Sequence, residues 1–576
     1  MIHLFFIVAV LLCFLPLLPG IIGLSLSSLS WLPTLGFESV NLNAFSEVVT
    51  WPNLTTSIGL SLLSGLGSTA LALYFTYVIL KRYWGTNRWQ TLERTLSPML
   101  AMPHVAFAIG FALLFSPTGW IFRLFEALGI ADTAAIALLQ GNLIQDNYGI
   151  GLMLALAIKE TPFLLIMSIP ILKQLDVAQL SAMSASLGYS KSESWRKVIL
   201  PQWLPKLRLS LFAVAAYGLS VVDIALILGP TRPSTLSVLV WQWFNEPDLL
   251  LVPRSAAGAC LLVMLTATGL GFIRAIEWFF LRYKRHWLTQ GATPSQQVTR
   301  KPTHHLALYS PFIVIPVLII PLLVVWSFAQ RWRFPDLLPS RYSGRFWQQE
   351  LTTLAELMGT SLVLALISSI MALILVITCL EYRQKYQRAI PVWLIAIPLV
   401  TPQLSLLFGI QIVTYLIPGQ HYSLWVIWSH LIFVFPYMYL ALDGAWRSYD
   451  VRLDQCSRSL GLTAWQTWWR VKRPQVQSAI IFGLAIGISV SLAQYLPTQM
   501  LGAGRISTVT TEAVALASGQ DRRVMAIYGL LQGVLPLVFF TLAITTNRLS
   551  YRWRHYRQHS RQIPSTSNKS KEYTHG

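Results

Sequence analysis

Apolar runs of about 20 residues recur from one end of this chain to the other, and that recurrence limits the fold more than any other feature. A helix of that length crosses a bilayer, where lipid satisfies no free backbone N–H or C=O. Twelve segments qualify. They lie near 4–26, 54–80, 95–115, 148–172, 207–229 and 255–281, then near 307–329, 354–380, 390–416, 422–445, 479–501 and 523–547. Charged residues make up only 11% of the 576, against about 25% in soluble domains. A mean hydropathy of +0.56 is hard to reconcile with a water-facing surface. The chain therefore reads as an all-α membrane protein of about twelve transmembrane helices. The first run follows Met1-Ile2-His3, without Lys or Arg, and exceeds the about 7–15 apolar residues of a signal peptide. It reads as a retained helix.

The net charge of +20 invites a nucleic-acid partner, but the positions of the charges account for it without one. With the N-terminus in the cytoplasm, the cytoplasmic loops and tail hold 31 Lys and Arg and the opposite loops hold 10. That is the positive-inside bias, and it puts both termini in the cytoplasm. Residues 282–306 are polar, with Gly291, Pro294 and Ser295, and read as a cytoplasmic linker between halves. The basic tail, 549–576, is expected to lie on anionic lipid. Cys13, Cys260 and Cys379 fall in apolar runs and Cys456 in a basic loop, with no spacing for a disulfide framework or zinc site. The many tryptophans near span ends, including Trp120, Trp241, Trp243 and Trp326, suit interfacial belts.

One loop occurs twice. Ala182-Met183-Ser184-Ala185-Ser186-Leu187-Gly188 has its counterpart 273 residues later in Gln455-Cys456-Ser457-Arg458-Ser459-Leu460-Gly461. The same offset carries Ser190 to Thr463, Glu193 to Gln466, Trp195 to Trp468 and Pro201 to Pro474 without a gap. Both copies spell one local structure. A short helix ends at Leu-Gly, where glycine suits a left-handed cap. Ser190-x-x-Glu193 and Thr463-x-x-Gln466 are capping boxes that start a second helix. Proline then halts that helix or begins the next. Trp195 and Trp468 occupy matching places, and exposed tryptophan at both would favour docking of a partner.

At this loop the chain resembles a known family. The pattern Glu-Ala-Ala, three residues, Gly, nine residues, Ile-x-Leu-Pro marks permease subunits of binding-protein-dependent ABC importers. Gly188, Val198, Leu200 and Pro201 fit it, and Gly461, Val471 and Pro474 fit its skeleton. The acidic-Ala-Ala triplet is replaced by Ala182-Met183-Ser184 and Gln455-Cys456-Ser457, and Lys472-Arg473-Pro474 stands where the family has x-Leu-Pro. The resemblance covers about 55–280 and 355–548, and is to the fused two-domain permeases of ferric-iron and thiamine importers. It implies two homologous six-helix halves, 1–281 and 307–548, related by a pseudo-twofold axis along the membrane normal. It also implies a bacterial inner-membrane location, cytoplasmic ATPase subunits seated on both loops, and a periplasmic solute-binding protein. No phosphate-binding GxxxxGK[ST] loop occurs, so ATP hydrolysis is expected on a separate subunit and no cofactor on this one.

Charges inside the spans are candidates for the solute path. Lys159 and Glu160 fall near the middle of the fourth span, where a charge costs about 2.5–3.5 kcal/mol and needs a partner. Neighbouring helix positions face different ways, so each needs its own. A gate in the solute path and a structural tie between helices both fit. Asp223, late in the fifth span, suits a cationic solute or a helix-end hydrogen bond. In the second half, His430 lies a turn above Pro436-Tyr437. The rival reading is an ion-coupled secondary transporter with Lys159 and Glu160 as its relay, but such a protein has no need of the loop twice. A membrane scaffold leaves the buried charges unexplained.

Overall fold

The computed structural model describes residues 2–130, 143–283, 311–415, 417, 419–519 and 521–560. The first half holds α1 (Ile2–Cys13), α2 (Leu17–Ser28), α3 (Asn43–Val49), α4 (Leu54–Tyr83), α5 (Asn87–Ala101), α6 (His104–Phe115) and α7 (Trp120–Ala127). It continues with α8 (Ile150–Gln174), α9 (Val177–Ser186), α10 (Leu200–Ser220), α11 (Asp223–Leu228), α12 (Leu236–Phe244) and α13 (Val252–Tyr283). The second half opens with α14 (Pro311–Phe328) and a short antiparallel pair, β1 (Ala329–Arg331) and β2 (Arg341–Tyr342). Then come α15 (Arg345–Tyr386), α16 (Val392–Val400), α17 (Gln403–Tyr415), α18 (Tyr422–Ser448) and α19 (Arg452–Ser459). It closes with α20 (Arg473–Leu492), α21 (Leu496–Leu501), α22 (Val509–Ala517) and α23 (Arg522–Ser560). The expected linker lies, from residue 284 on, outside the described residues, as does the tail beyond Ser560.

Among the described residues, nine helices are long and apolar enough to cross a membrane, or ten if α16 and α17 count as one span bent by 96°. Several of the twelve expected spans are different in kind: α14 is a shorter apolar helix, α10 stops at Ser220 and resumes after a break as α11, and α20 stops at Leu492 and resumes as α21. The expected span 95–115 is also broken, between α5 and α6. At the α5–α6 and α16–α17 breaks the cause is proline. Pro103 and Pro402 lack an N–H and push the preceding residue out of helical conformation. Met102 (φ −68°, ψ 122°) and Thr401 (φ −78°, ψ 137°) are both extended.

The two halves repeat each other closely. The first residues of α10, α11 and α12 (200, 223 and 236) recur 273 positions on at 473, 496 and 509, where α20, α21 and α22 begin. The Leu236 N–H donates to Ser61 Oγ at 2.8 Å, and the Val509 N–H donates to Ser361 Oγ at 3.0 Å, so α12 and α22 are tied to α4 and α15 alike. Each half lends its leading helix to the other: α2 packs on α17, and α14 packs on α6. A Cβ on Gly409 would lie 1.7 Å from the Gly20 carbonyl oxygen, so only glycine permits that crossing. Adding 299 to Gly20 and to Gly110 gives Ile319 and Gly409, and Ile319 is the residue packed on Gly110. Such a reciprocal contact is what a twofold relation produces. The N-terminal helices are seated by Phe14 edge-on to Phe435 and by the Trp428 indole donating to the Leu12 carbonyl at 3.0 Å.

Candidate functional site

Each duplicated loop folds as its sequence dictates. Asp176 caps α9, and the chain turns at Gly188 with φ +83°, matched by Gly461 at φ +86° after α19. Ser190 Oγ accepts from the Glu193 N–H at 3.3 Å while Glu193 Oε2 accepts from the Ser190 N–H at 3.0 Å. Thr463 and Gln466 make the same reciprocal pair at 3.3 and 3.0 Å. A π-helical turn follows in both, Ser194–Ile199 and Trp468–Lys472. Pro201 and Pro474 then stand at the second residue of α10 and α20, directly after the π-helical turn. A further tie occurs in both loops. Ser184 Oγ donates to Ser194 Oγ at 2.7 Å, and Ser457 Oγ to Thr467 Oγ1 at 3.0 Å. Each pair clamps the two short helices into one rigid projection.

The tryptophans do not face outward as expected. Trp195 is 2% exposed and packs beside Tyr77, on the inner face of its helix against the ends of α4 and α10. Trp468 is half-buried beside Trp469. Glu193 is likewise buried, its carboxylate spent on the cap. The projecting residues are the leucines before the two glycines: Leu187 is 71% exposed and Leu460 83%. Trp465 and Trp469 add an apolar face to the second loop only, for Ser192 and Arg196 stand 273 positions earlier. The roots of the loops also differ. Buried Lys472 pairs with Glu381 at 2.6 Å over the Tyr449 ring, whereas Lys81 donates to Ser192 Oγ at 2.7 Å.

Between the halves lies a polar cluster. Lys159 and Glu160, in α8, have separate partners at the break between α5 and α6. The Lys159 ammonium donates to the Met102 and Met99 carbonyls at 2.6 and 3.3 Å. It is thus a cation at the carbonyl end of α5. Glu160 Oε1 lies 2.9 Å from His104 Nε2, in the first turn of α6. The His104 ring is 4.7 Å from the Tyr217 ring, and the Tyr217 hydroxyl donates to Asp223 Oδ1 at 3.4 Å. From the second half, Tyr437 lies within electrostatic range of Glu160 and Tyr217, and Tyr495 within range of Asp223. Tyr437 is 41% exposed although it stands mid-span. Trp241, expected at an interface, is buried edge-on to Tyr495 at 6.0 Å.

His430 is not part of this cluster. It is buried between Ser491 Oγ (2.7 Å) and Thr498 Oγ1 (2.9 Å) and ties α18 to α20 and α21. The sequence reading named Tyr437 beside Pro436 without a role, and missed His104, Tyr217 and Tyr495. One signal was present: Pro103 and Pro402 mark matching breaks, and a titratable residue directly after the first break has no partner within its own helix. Among the described residues, no group of three His, Cys, Asp or Glu converges to hold a metal ion.

No family model matches the chain. It is 30% identical over 518 residues to the inner membrane ABC transporter permease protein YnjC of Escherichia coli (strain K12), covering 88% of this chain and 91% of that protein. It is 27% identical over 214 residues, 36% of this chain and 73% of the relative, to a probable sulfate transport system permease protein cysT of Chlorella vulgaris. A segment of 66 residues is 35% identical to the Chlorokybus atmophyticus cysT, covering 11% of this chain and 23% of that protein. With a relative matched along nearly its whole length and apolar helices throughout, this chain belongs to the ABC transporter permeases, multi-pass proteins of the inner membrane.

Proposed function

We propose that this permease serves an importer of a cationic solute, with its two loops seated on separate cytoplasmic ATPase subunits. The observation that carries the coupling is the pair Leu187 and Leu460. They are equivalent positions, both exposed, each held on a projection stiffened by a glycine turn, a capping box and a hydroxyl tie. An apolar knob on a rigid stem suits insertion into a groove of a partner. Closure of the ATPase pair then moves the two stems, and with them α10 and α20, which begin where the stems end.

The solute path runs through the cluster between the halves. Glu160 and Asp223 supply negative charge, and Tyr217, Tyr437 and Tyr495 supply aromatic faces and hydroxyls, a lining that favours a cation. The Lys159 ammonium is held on the Met99 and Met102 carbonyls rather than on either carboxylate. Sulfate, named for the cysT relatives, would meet two carboxylates. The resemblance to ferric-iron and thiamine permeases agrees with a cation, delivered by a solute-binding protein on the outer face.

Site-directed cross-linking tests the coupling. A single cysteine at Leu187 or Leu460, in a background with Cys456 replaced by Ser, should cross-link to an ATP-binding-cassette subunit in inverted membrane vesicles. A cysteine at Ser186, exposed but beside the knob, should react less. Equal yields at all positions, or no ATPase captured, would refute the seating.

A further inference from the structure

At the end of the bundle opposite the two loops is a cavity of about 360 Å³ that the transport reading does not use. Topology fixes its place: α20 starts at a loop, α21 and α22 lie at its far end, and α23 starts there with Arg522. Thr118, Arg123, Trp326, Trp332, Arg522 and Arg523 line it.

Its lining is cationic beyond what its neighbours neutralise. Arg123 is 2% exposed, yet among the described residues its guanidinium donates to backbone: the carbonyls of Thr118 (3.0 Å), Arg333 (2.7 Å) and Asp336 (2.7 Å). It lies 4.8 Å from the Trp332 ring centre. Arg522 donates to Thr118 Oγ1 at 2.6 Å and lies over the Trp326 ring. Among the described residues, neither has a carboxylate within ion-pair distance; Glu126, on the same helix as Arg123, has its buried Oε2 without a hydrogen-bond partner. Arg523 is neutralised by Asp521 at 2.9 Å. Burial pushes the Asp521 carboxyl up, but hydrogen bonds from Arg523 and backbone N–H groups outweigh it and hold it below the usual value. Two guanidinium charges therefore share one concavity, with the Asp336 carboxylate acting on Arg123 from beyond ion-pair distance.

Burying unneutralised cations is costly unless an anion joins them. Guanidinium forks match phosphate oxygens in geometry and charge. The tryptophans place the cavity at the level of lipid headgroups, since indoles gather at that interface. The outer loop beside it carries Arg331, Arg333, Arg341 and Arg345, against the positive-inside pattern of the rest of the chain. We infer that Arg123 and Arg522 form a site for a phosphate-type oxyanion, presented by the headgroup of an anionic lipid.

Native mass spectrometry of the full chain, purified with equal phosphatidylglycerol and phosphatidylethanolamine, tests this. The wild type should retain phosphatidylglycerol selectively, and Arg522→Gln should retain about tenfold less, the cost of one charge-assisted contact. Arg505→Gln, outside the cavity, should behave as wild type. Thermal unfolding with inorganic phosphate is the second arm. If phosphate raises the wild-type midpoint but not that of Arg522→Gln, while no lipid is retained, the oxyanion site stands and the lipid source is wrong. If Arg522→Gln and wild type match in both arms, or neither binds, the inference is overturned. Arg522 is partly buried in the native protein, and the unfolding midpoint of Arg522→Gln without ligand checks that the variant folds.

Discussion

The Lys159 ammonium supplies the hydrogen bond that Pro103 cannot give to Met99. In an unbroken helix the Met99 carbonyl would accept from residue 103, but proline has no N–H, and Lys159 reaches across from α8 to within 3.3 Å of that oxygen and 2.6 Å of Met102's. Lys159→Met keeps the length and loses the donor. It should lower stability by about 1–3 kcal/mol, the cost of leaving buried carbonyls unsatisfied, with transport per folded molecule retained. Thermal unfolding in detergent, paired with an uptake assay, measures both. An unchanged midpoint with transport lost would make Lys159 a path residue.

Glu160 and Asp223 are assigned the opposite behaviour. Glu160→Gln and Asp223→Asn should each weaken solute-stimulated ATP hydrolysis about tenfold, through lost attraction for a cation, and leave ATPase attachment intact. The measurement is stimulation by purified binding protein and solute in reconstituted vesicles. Full stimulation in both variants would remove the cluster from the path.

The exchange of leading helices depends on Gly409. Gly409→Leu should prevent α2 from seating and sharply reduce folded protein, because a Cβ there meets the Gly20 carbonyl at 1.7 Å. Gly444→Leu is the control, since a Cβ at Gly444 meets nothing within 4 Å. Size-exclusion profiles of the two variants, read side by side, decide it; a monodisperse Gly409→Leu would contradict the crossing.

Cys456 offers a test of orientation. It is exposed in the second loop, whereas Cys13 and Cys379 are buried. A membrane-impermeant maleimide should label it in inverted vesicles and not in right-side-out ones. Labelling from the outer side would reverse the assignment made from Lys and Arg.

Much of this architecture was legible in the sequence, and for identifiable reasons. Long apolar runs and the 273-residue repeat record constraints local to the chain. The glycine turns and both capping boxes depend on residues at most three apart, and they form as read. What failed depended on which neighbours a helix face meets. Trp195 and Leu187 lie in one loop, and nothing in their spacing says that the larger is buried and the smaller exposed. The Lys159–Met99 and Glu160–His104 contacts join residues 60 and 56 apart, across a break that an apolar run conceals. The broken spans were misread because residues flanking Pro103 and Pro402 are as apolar as those in an unbroken helix.

The central claim is that the two loops are where ATP hydrolysis engages this chain, and retained ATPase activity tests it most directly. The tagged chain, extracted gently from native membrane, should carry vanadate-sensitive ATP hydrolysis with it. Leu187→Asp with Leu460→Asp should lose at least about nine-tenths of that activity, since two apolar anchors worth about 1.5 kcal/mol or more each are replaced by charge. Both side chains are exposed, so the unfolding midpoint should stay put. Activity equal to wild type in the double variant, or none with the wild-type chain while an ion gradient alone drives uptake, would contradict the account.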